Sequence, residues 1–167
     1  MTAGPSQAAA MMVVLAGMVA VVGGALAFEH IGGYAPCALC LEQRTPYYLG
    51  IPFLALGIIG QWSRLPASVP RGALTIGLVC LLATGALGFY HSGVEWGFFE
   101  VPATCGAGIT GTSSDAGSLL DSLSNAKPPR CDDAAGRFLG LSFAGWNVVA
   151  AAGLAAVAAK GLFGKPV

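Results

Sequence analysis

Charged residues are scarce in this sequence. Lysine and arginine together number 8, as do aspartate and glutamate, so that 10% of the 167 residues are charged and the formal net charge is zero. Soluble globular domains carry about 25% charged residues, whereas this chain is 55% hydrophobic and has a mean hydropathy of +0.71. The composition excludes an ordinary soluble domain and predicts an integral membrane protein. No nucleic-acid partner is expected.

The sequence also lacks the alternation of apolar and polar residues that marks the strands of a membrane barrel. It has instead four apolar runs without charge, each about 18 residues or longer, which is the length that spans the hydrocarbon core as a helix. Because a bilayer accepts only helices or closed barrels, we predict an all-α membrane protein, a bundle of four transmembrane helices forming a single domain over residues 1–167. The predicted spans cover residues 8–28, 45–62, 72–90 and 141–159.

No basic residue precedes the first apolar run, as it would in a secretory signal peptide. The run is also longer than the apolar core of such a peptide, which is roughly 7 to 15 residues. Ala25-Leu26-Ala27 resembles a signal-peptidase site, but we expect the run to stay as a helix. Cleavage there would leave the orientation of the later spans unchanged.

Acidic residues are missing from one side of the predicted bundle. Arg64 and Arg71 lie between spans two and three, and two lysines follow span four, whereas all eight acidic residues lie in the other two connections. Short loops rich in lysine and arginine stay in the cytoplasm. Both termini are therefore predicted to be cytoplasmic, and the two loops at residues 29–44 and 91–140 are predicted to face outward.

Cysteine is rare as well, at five residues, but four of them fall on the predicted outer side. Cys37 and Cys40 form a CxxC in or just after the first outer loop, and Cys105 and Cys131 lie in the second. Disulfides persist outside the cytosol, so an even number of thiols there indicates redox chemistry. Cys80, midway along span three, is interpreted as a small apolar filler between helices.

The segment PCALCLEQR, residues 36–44, carries the most specific chemistry. Pro36 suits the first turn of a helix, which predicts that the CxxC lies at the outer N-terminus of helix two, where the helix dipole stabilises a thiolate. Arg44 follows Cys40 by four residues and Cys37 by seven, so all three share a helix face. A charge near the bilayer is costly, so we expect Arg44 to have a partner.

Two other interpretations of the four outer cysteines remain open at this point. They could supply four thiolates to zinc, but Cys105 and Cys131 are far more widely spaced than the roughly 2 to 4 residues usual in structural zinc sites, so no metal site is expected. A disulfide between Cys105 and Cys131 could instead only staple a mobile loop. The protein would then be a non-enzymatic membrane scaffold.

Several motifs occur together over nearly the whole chain. Pro-Cys-x-x-Cys-x-x-x-Arg opens the second span, Cys105 follows Pro-Ala-Thr in the second outer loop, and Phe-Leu-Gly-Leu at 138–141 precedes the last span. With a further cysteine at Cys131 and four spans, this combination resembles the DsbB family of disulfide bond formation proteins. One departure is visible, because Gln43 precedes Arg44 where the family often has glutamate.

The resemblance implies a thiol:quinone oxidoreductase of the bacterial inner membrane, with its cysteine loops in the periplasm. Electrons would pass from a DsbA-like periplasmic oxidase of thioredoxin fold to the membrane quinone pool, either ubiquinone or menaquinone. Cys105 would form the mixed disulfide with this partner, and Cys131 would be its exchange partner. Electrons would then reach Cys37 and Cys40.

The resemblance also implies how the quinone is held. Cys40 would be the thiolate that faces the quinone ring, and Arg44 would stabilise the negative charge that develops there. His91, at the outer end of span three, would hydrogen-bond or protonate a quinone oxygen; its alternative interpretation is an interfacial histidine that faces water. Vitamin K epoxide reductase-like proteins are a related alternative, but their CxxC lies near the end of the bundle, whereas here it opens helix two.

Overall fold

The computed structural model describes residues 5–106 and 130–163 of the chain. The regular secondary structure of this part is helical apart from one short hairpin. A 3-10 turn at Ala103–Gly106 ends the first described stretch, and residues 107–129 of the predicted second outer loop lie outside the described residues. The hairpin consists of strands β1 (Arg137–Phe138) and β2 (Leu141–Ser142). The four long helices are α1 (Pro5–His30), α2 (Ala38–Trp62), α3 (Ser68–Glu95) and α4 (Phe143–Phe163).

Three of these helices are long and apolar enough to cross a membrane, at Gln7–His30, Ser68–Glu95 and Phe143–Phe163. The 25 residues of α2 would reach about 37 Å, but two prolines, two tyrosines and Gln61 lower its hydropathy. The fold is therefore that of an all-α integral membrane protein. The count of four transmembrane spans stays a prediction.

Helices continue into both predicted outer loops. Helix α1 continues to His30 and α2 begins at Ala38, so only residues 31–37 connect the two helices within the predicted loop 29–44. Helix α3 continues to Glu95, five residues beyond the predicted span. Charged residues mark the edge of an apolar run, but a helix continues through them until its backbone is capped.

The end of α3 shows such a cap. Gly97 has a φ of 73°, a conformation that suits glycine. The Phe98 N–H donates to the Gly93 carbonyl at 2.8 Å, and the Gly97 N–H donates to the Val94 carbonyl at 3.1 Å. These two bonds form a Schellman motif, which ends the helix one turn above the predicted span.

The core of the bundle lies where all four helices meet. Small residues let the helix backbones approach, as expected for packing inside a membrane. A side chain at Gly57 would collide with Ala73 of α3, and one at Gly161 would collide with Ala10 of α1. Cys80 packs against this core opposite Gly50, as its interpretation as a filler predicts. The largest fully buried core side chains are Met11, Met18, Tyr47, Leu54, Leu74 and Leu81.

The Phe-Leu-Gly-Leu motif forms the turn of the hairpin that leads into α4. Leu139 and Gly140 both have positive φ, 53° and 83°, as in the type I′ turns that close two-residue hairpins. The Trp146 indole N–H donates to the Phe138 carbonyl at 2.9 Å, and the Gly145 N–H donates to the Ser142 hydroxyl at 3.2 Å. The hairpin is thus fixed against the first turn of α4.

Candidate active site

The CxxC lies at the N-terminus of α2, as predicted. Cys37 is the N-cap residue, with φ −76° and ψ 169°, and its sulfur accepts a hydrogen bond from the Cys40 N–H at 3.3 Å. A cap side chain normally offers oxygen to the free N–H groups of the first turn; here sulfur takes that place. Pro36 precedes the cap and is not in the first turn, because Cys37 occupies the cap position.

The two sulfurs of the CxxC form one acid–base unit. Cys37 and Cys40 are unbonded thiols whose sulfur atoms are 2.9 Å apart. The hydrogen bond with the Cys40 thiol lowers the pKa of Cys37 to about 4, with further lowering by His91 and the Cys40 N–H, against the opposing effect of burial. Cys37 precedes the first residue of α2. The reduced pair therefore holds one thiolate and one proton near neutral pH.

The second cysteine pair is a disulfide, with 5.8 Å between the Cα atoms of Cys105 and Cys131. It packs into the same buried cluster as Cys37, together with Leu39 and Val94. Cys131 is 1% exposed, whereas Cys105 retains partial exposure. The structure thus brings all four predicted cysteines together, and in this state Cys105 and Cys131 have no thiolates to offer a zinc ion.

His91 lies inside α3 and is only 3% exposed. Its Nδ1 is 2.7 Å from Gln43 Nε2, and its Nε2 is 3.6 Å from Cys37 Sγ and 3.7 Å from Glu95 Oε1. The interpretation as an interfacial histidine facing water is therefore wrong. The imidazole contacts the CxxC from the side of α3.

A cavity of about 340 Å³ lies between α1, α2 and α4, on the other side of the CxxC. Its wall is mostly apolar, with contributions such as Val21, Phe28 and Phe143. Polar groups are concentrated at the outer end, where Cys40 and Arg44 line it. His91 is not among its lining residues. We call this space the α1–α2–α4 cavity.

Arg44 has the partner that its position near the membrane predicts. Its Nη1 donates to the carboxylate of Glu29, which lies in the last turn of α1. Both residues line the α1–α2–α4 cavity, and both side chains are largely shielded from solvent. Sequence reasoning did not single out Glu29, although an acid at the end of an apolar run was the available signal.

A polar network crosses the bundle behind the cavity, and sequence reasoning missed it. Asn147 Nδ2 donates to Gln43 Oε1 at 2.8 Å and to Thr84 Oγ1 at 3.1 Å, and the Tyr47 hydroxyl donates to Asn147 Oδ1 at 2.7 Å. The Thr84 hydroxyl donates to the Gln43 carbonyl at 2.7 Å. Polar residues inside apolar runs were the signal, because such groups need partners in a membrane. The network connects the cavity wall to His91.

Helices of membrane-spanning length, with a disulfide packed against a CxxC, define a helical membrane protein equipped for thiol–disulfide exchange. The family model described as Disulfide bond formation protein DsbB matches residues 7–160. The chain belongs to this family, which confirms the resemblance drawn from its motifs. It is a membrane oxidoreductase that acts in disulfide bond formation.

Individual relatives agree with this assignment. The chain is 30% identical over 159 residues to Disulfide bond formation protein B of Saccharophagus degradans, covering 92% of this chain and 91% of the relative. It is 28% identical over 123 residues to the uncharacterized protein RP370 of Rickettsia prowazekii, covering 72% and 67% of the two chains. No solved structure matches the chain.

Proposed function

We propose that this protein is a thiol:quinone oxidoreductase, which reoxidises a DsbA-like periplasmic oxidase and delivers the electrons to a membrane quinone. One observation carries the proposal. The CxxC connects two surroundings. Cys37 and Cys131 belong to one buried cluster against which Cys40 and Cys105 pack, and Cys40 also lines the α1–α2–α4 cavity. A dithiol in this position can receive electrons on one side and release them on the other.

The outer disulfide is the proposed entry point for electrons. A thiolate of the reduced partner attacks Cys105, the more exposed sulfur, and releases Cys131 as a thiolate in a mixed-disulfide intermediate. The second partner thiol then attacks the partner's sulfur in that bond. The partner leaves as a disulfide, and Cys105 and Cys131 are left as a dithiol that holds the two electrons.

Transfer between the two pairs follows from their packing. The Cys105–Cys131 dithiol attacks the oxidised Cys37–Cys40 disulfide, so that one disulfide forms as the other breaks and two electrons move inward. The resulting state has the outer pair oxidised and the CxxC reduced, which is the pairing in the structure. The reduced CxxC then holds its thiolate on Cys37, not on Cys40 as the resemblance implied, and presents the Cys40 sulfur to the cavity.

The residues around the α1–α2–α4 cavity fit a quinone. Its volume of about 340 Å³ lies in the range of small-molecule sites, and its apolar wall with polar groups at one end suits a flat apolar ring that carries oxygens. When bound, a quinone supplies an acceptor for two electrons and two protons. Cys40 would present its sulfur to the ring, and Arg44 would donate hydrogen bonds to an oxygen, with either ubiquinone or menaquinone as the occupant.

The proposed setting is a bacterial inner membrane, with four spans forming one domain over residues 1–167. The cysteine pairs lie at the end of the bundle where α2 begins and α3 ends, whereas Arg64 and Arg71 lie at the opposite end. The positive-inside rule supports a cytoplasmic location for the arginines and for both termini. The cysteines would then face the periplasm, where a DsbA-like partner can reach them.

Quinone reduction by the purified protein tests the proposed function. The protein, in lipid nanodiscs with ubiquinone or menaquinone, is supplied with a reduced thioredoxin-fold partner, and quinone absorbance is followed. We expect partner-dependent reduction by the wild type and by Cys80→Ser, and none by Cys40→Ser. A scaffold whose disulfides only staple loops would show no quinone-dependent thiol oxidation. Lack of turnover in the wild type with quinone demonstrably bound would refute the proposal.

A further inference from the structure

The orientation of the Gln43 side-chain amide is fixed by a backbone carbonyl. Gln43 is buried, and its Nε2 lies 3.2 Å from the Leu39 carbonyl oxygen, which can only accept a hydrogen bond. The Gln43 Oε1 accepts from Asn147 Nδ2 on the other side. Turning the amide over would place two acceptors against each other at Leu39, so the NH₂ group faces both Leu39 and His91.

This orientation decides which nitrogen of His91 carries the hydrogen. Because the Gln43 NH₂ group lies 2.7 Å from Nδ1, Nδ1 must be the acceptor. In the neutral imidazole the other nitrogen is then the donor. Nε2–H then faces the Cys37 sulfur at 3.6 Å, and Glu95 Oε1 lies 3.7 Å from the same nitrogen, beyond hydrogen-bond distance.

We infer that Gln43 is a positioning residue that holds His91 as the neutral Nε2–H tautomer and so aims an N–H group at the Cys37 sulfur. The inference deepens the proposed function and rests on it for its redox consequence, whereas the tautomer itself can be measured separately. In this arrangement His91 is a hydrogen-bond donor to the Cys37 sulfur, on the side of the CxxC away from the cavity.

Few titratable groups surround the ring. In the described part of the chain they are Cys37 and Cys40 at the start of α2 and Glu95 of α3, whereas Asn147 of α4 reaches Gln43 and not the ring. In the Nε2–H tautomer the imidazole presents its donor to the Cys37 sulfur.

The tautomer also bears on metal binding. The ligand atoms of Cys37, Cys40 and His91 lie within 4.8 Å of one another, a spacing that could hold an ion. A ligating imidazole nitrogen must offer a lone pair, but the lone pair of His91 is on Nδ1, next to Gln43, and Nε2 carries the hydrogen. The geometry assigns the cluster to thiol chemistry.

Glu95 is the other titratable group of α3 beside this nitrogen. Its side chain is 4% exposed and its Oε2 has no hydrogen-bond partner among the described residues. Loss of the Gln43 amide would free the ring to turn its lone pair toward the Cys37 sulfur, which removes the donor from Cys37.

Nitrogen NMR of the reduced full-length protein tests the inference. The chain has two histidines, His30 and His91, so ¹⁵N-histidine labelling gives two rings, and His30→Gln leaves His91 alone. At about pH 8, where histidine is ordinarily neutral, we expect a pyridine-type Nδ1 and a pyrrole-type Nε2 for His91. An Nδ1–H tautomer in the wild type at this pH would overturn the inference.

Gln43→Glu is the informative variant because it keeps the shape and replaces the donor with an acceptor. Its carboxylate can only accept a hydrogen bond from the ring, so we expect the hydrogen on Nδ1 in the variant at the same pH. The Nδ1 signal should therefore change from pyridine-type in the wild type to pyrrole-type in Gln43→Glu. An unchanged pyridine-type Nδ1 in Gln43→Glu would count against the inference.

The outcome is separable from that of the proposed function. Failure of quinone reduction in the wild type, with the Nε2–H tautomer observed, would leave the role of Gln43 intact and remove the redox assignment. Normal quinone reduction by a wild type in the Nδ1–H tautomer would support the proposed function and refute the role of Gln43.

Discussion

The Arg44 guanidinium on α2 donates a hydrogen bond to the Glu29 carboxylate on α1, so the cation beside the CxxC is held by the neighbouring helix. Both residues of this pair line the α1–α2–α4 cavity at its outer end, as does Cys40. The ion pair fixes the direction in which the guanidinium N–H groups point. For a ligand with oxygens at defined positions, this orientation matters more than the positive charge alone.

Glu29→Gln should weaken the use of quinone. An amide can still accept a hydrogen bond from Arg44 but cannot balance its charge, so the guanidinium becomes less fixed. We expect a several-fold rise in the KM for quinone with a smaller change in kcat, measured as steady-state quinone reduction. Glu42→Gln is the matched control, since Glu42 is exposed on α2 and does not line the cavity. If Glu29→Gln shows wild-type kinetics at limiting quinone, the ion pair only joins two helices and has no role in quinone use.

Arg44→Ala should be more severe than Glu29→Gln. It removes the cation near Cys40 and leaves Glu29 without its partner, so both binding and electron transfer suffer. We expect kcat/KM for quinone to fall on the order of tenfold or more, with contributions from both constants. Arg44→Lys should be intermediate, because lysine lacks the planar fork and is more strongly hydrated.

A matched control for Arg44 is available at the other end of the bundle. Arg71→Ala removes an arginine of α3 that lies outside the cavity lining, and we expect unchanged quinone kinetics. If Arg44→Ala oxidises the partner as fast as the wild type at limiting quinone, Arg44 only anchors the interface.

Cys131→Ser should trap the thiol partner. Cys131 is buried and Cys105 is partly exposed, so an incoming thiolate meets Cys105 first. Without Cys131 no intramolecular thiol of this pair can displace the partner, and we expect a mixed disulfide that is visible on non-reducing gels. Cys105→Ser should give no such adduct, and Cys80→Ser should behave as the wild type. An adduct that forms equally in Cys105→Ser would move the entry point to another cysteine.

The reduced CxxC should keep its thiolate far below the pH at which ordinary thiols ionise. The pKa of Cys37 lies at about 4, whereas a free cysteine has about 8.5. Thiolate absorbance in the ultraviolet should therefore persist as the pH falls from 8 and be lost only near 4, and the step should be missing in Cys37→Ser. Cys80→Ser should retain it.

The same shift affects stability with a defined sign. Because the folded pKa of Cys37 is lowered, the thiolate stabilises the reduced folded protein fully above the unfolded pKa, about 8.5. This stabilisation declines as the pH falls and is gone below about 4. Denaturation of reduced wild type and Cys37→Ser should therefore converge at acidic pH. A difference that grows on acidification would contradict the assignment.

The orientation can be tested with single cysteines in a background without the native ones. Ser68→Cys, at the start of α3, should resist an impermeant maleimide in intact cells, because the α2–α3 connection is predicted to be cytoplasmic. Ile31→Cys is the matched control, since Ile31 is 87% exposed in the α1–α2 connection on the cysteine side. If Ser68→Cys is labelled and Ile31→Cys is not, the protein has the opposite orientation to the one predicted.

Apolar runs predicted the positions of the four helices because burial in lipid depends on composition alone. They did not predict helix ends, which depend on caps such as Cys37 at α2 and Gly97 after α3. Periodicity placed Arg44 on the same helix face as Cys40, since a separation of four residues along one helix is a local relationship. Cys37, which the same periodicity assigned to this face, is the N-cap and does not line the cavity. The family resemblance supplied the roles of the four cysteines.

The partners of the site residues come from other helices and could not be predicted locally. Arg44 meets Glu29 from α1, and His91 meets Gln43, 48 residues away along the chain. Asn147 reaches Gln43 across 104 residues. Such contacts depend on how the helices are rotated against each other, and a single sequence carries no direct record of that rotation.

Cys37 and Cys40 are three residues apart, about 4.5 Å along the helix axis. Both pack in the cluster of the outer disulfide, yet of the two only Cys40 also lines the apolar cavity between helices. In the proposed cycle, this short stretch of chain separates a reductant that is dissolved in water from an oxidant that is dissolved in the lipid. Neither has to leave its own phase, because only electron pairs and protons make the crossing.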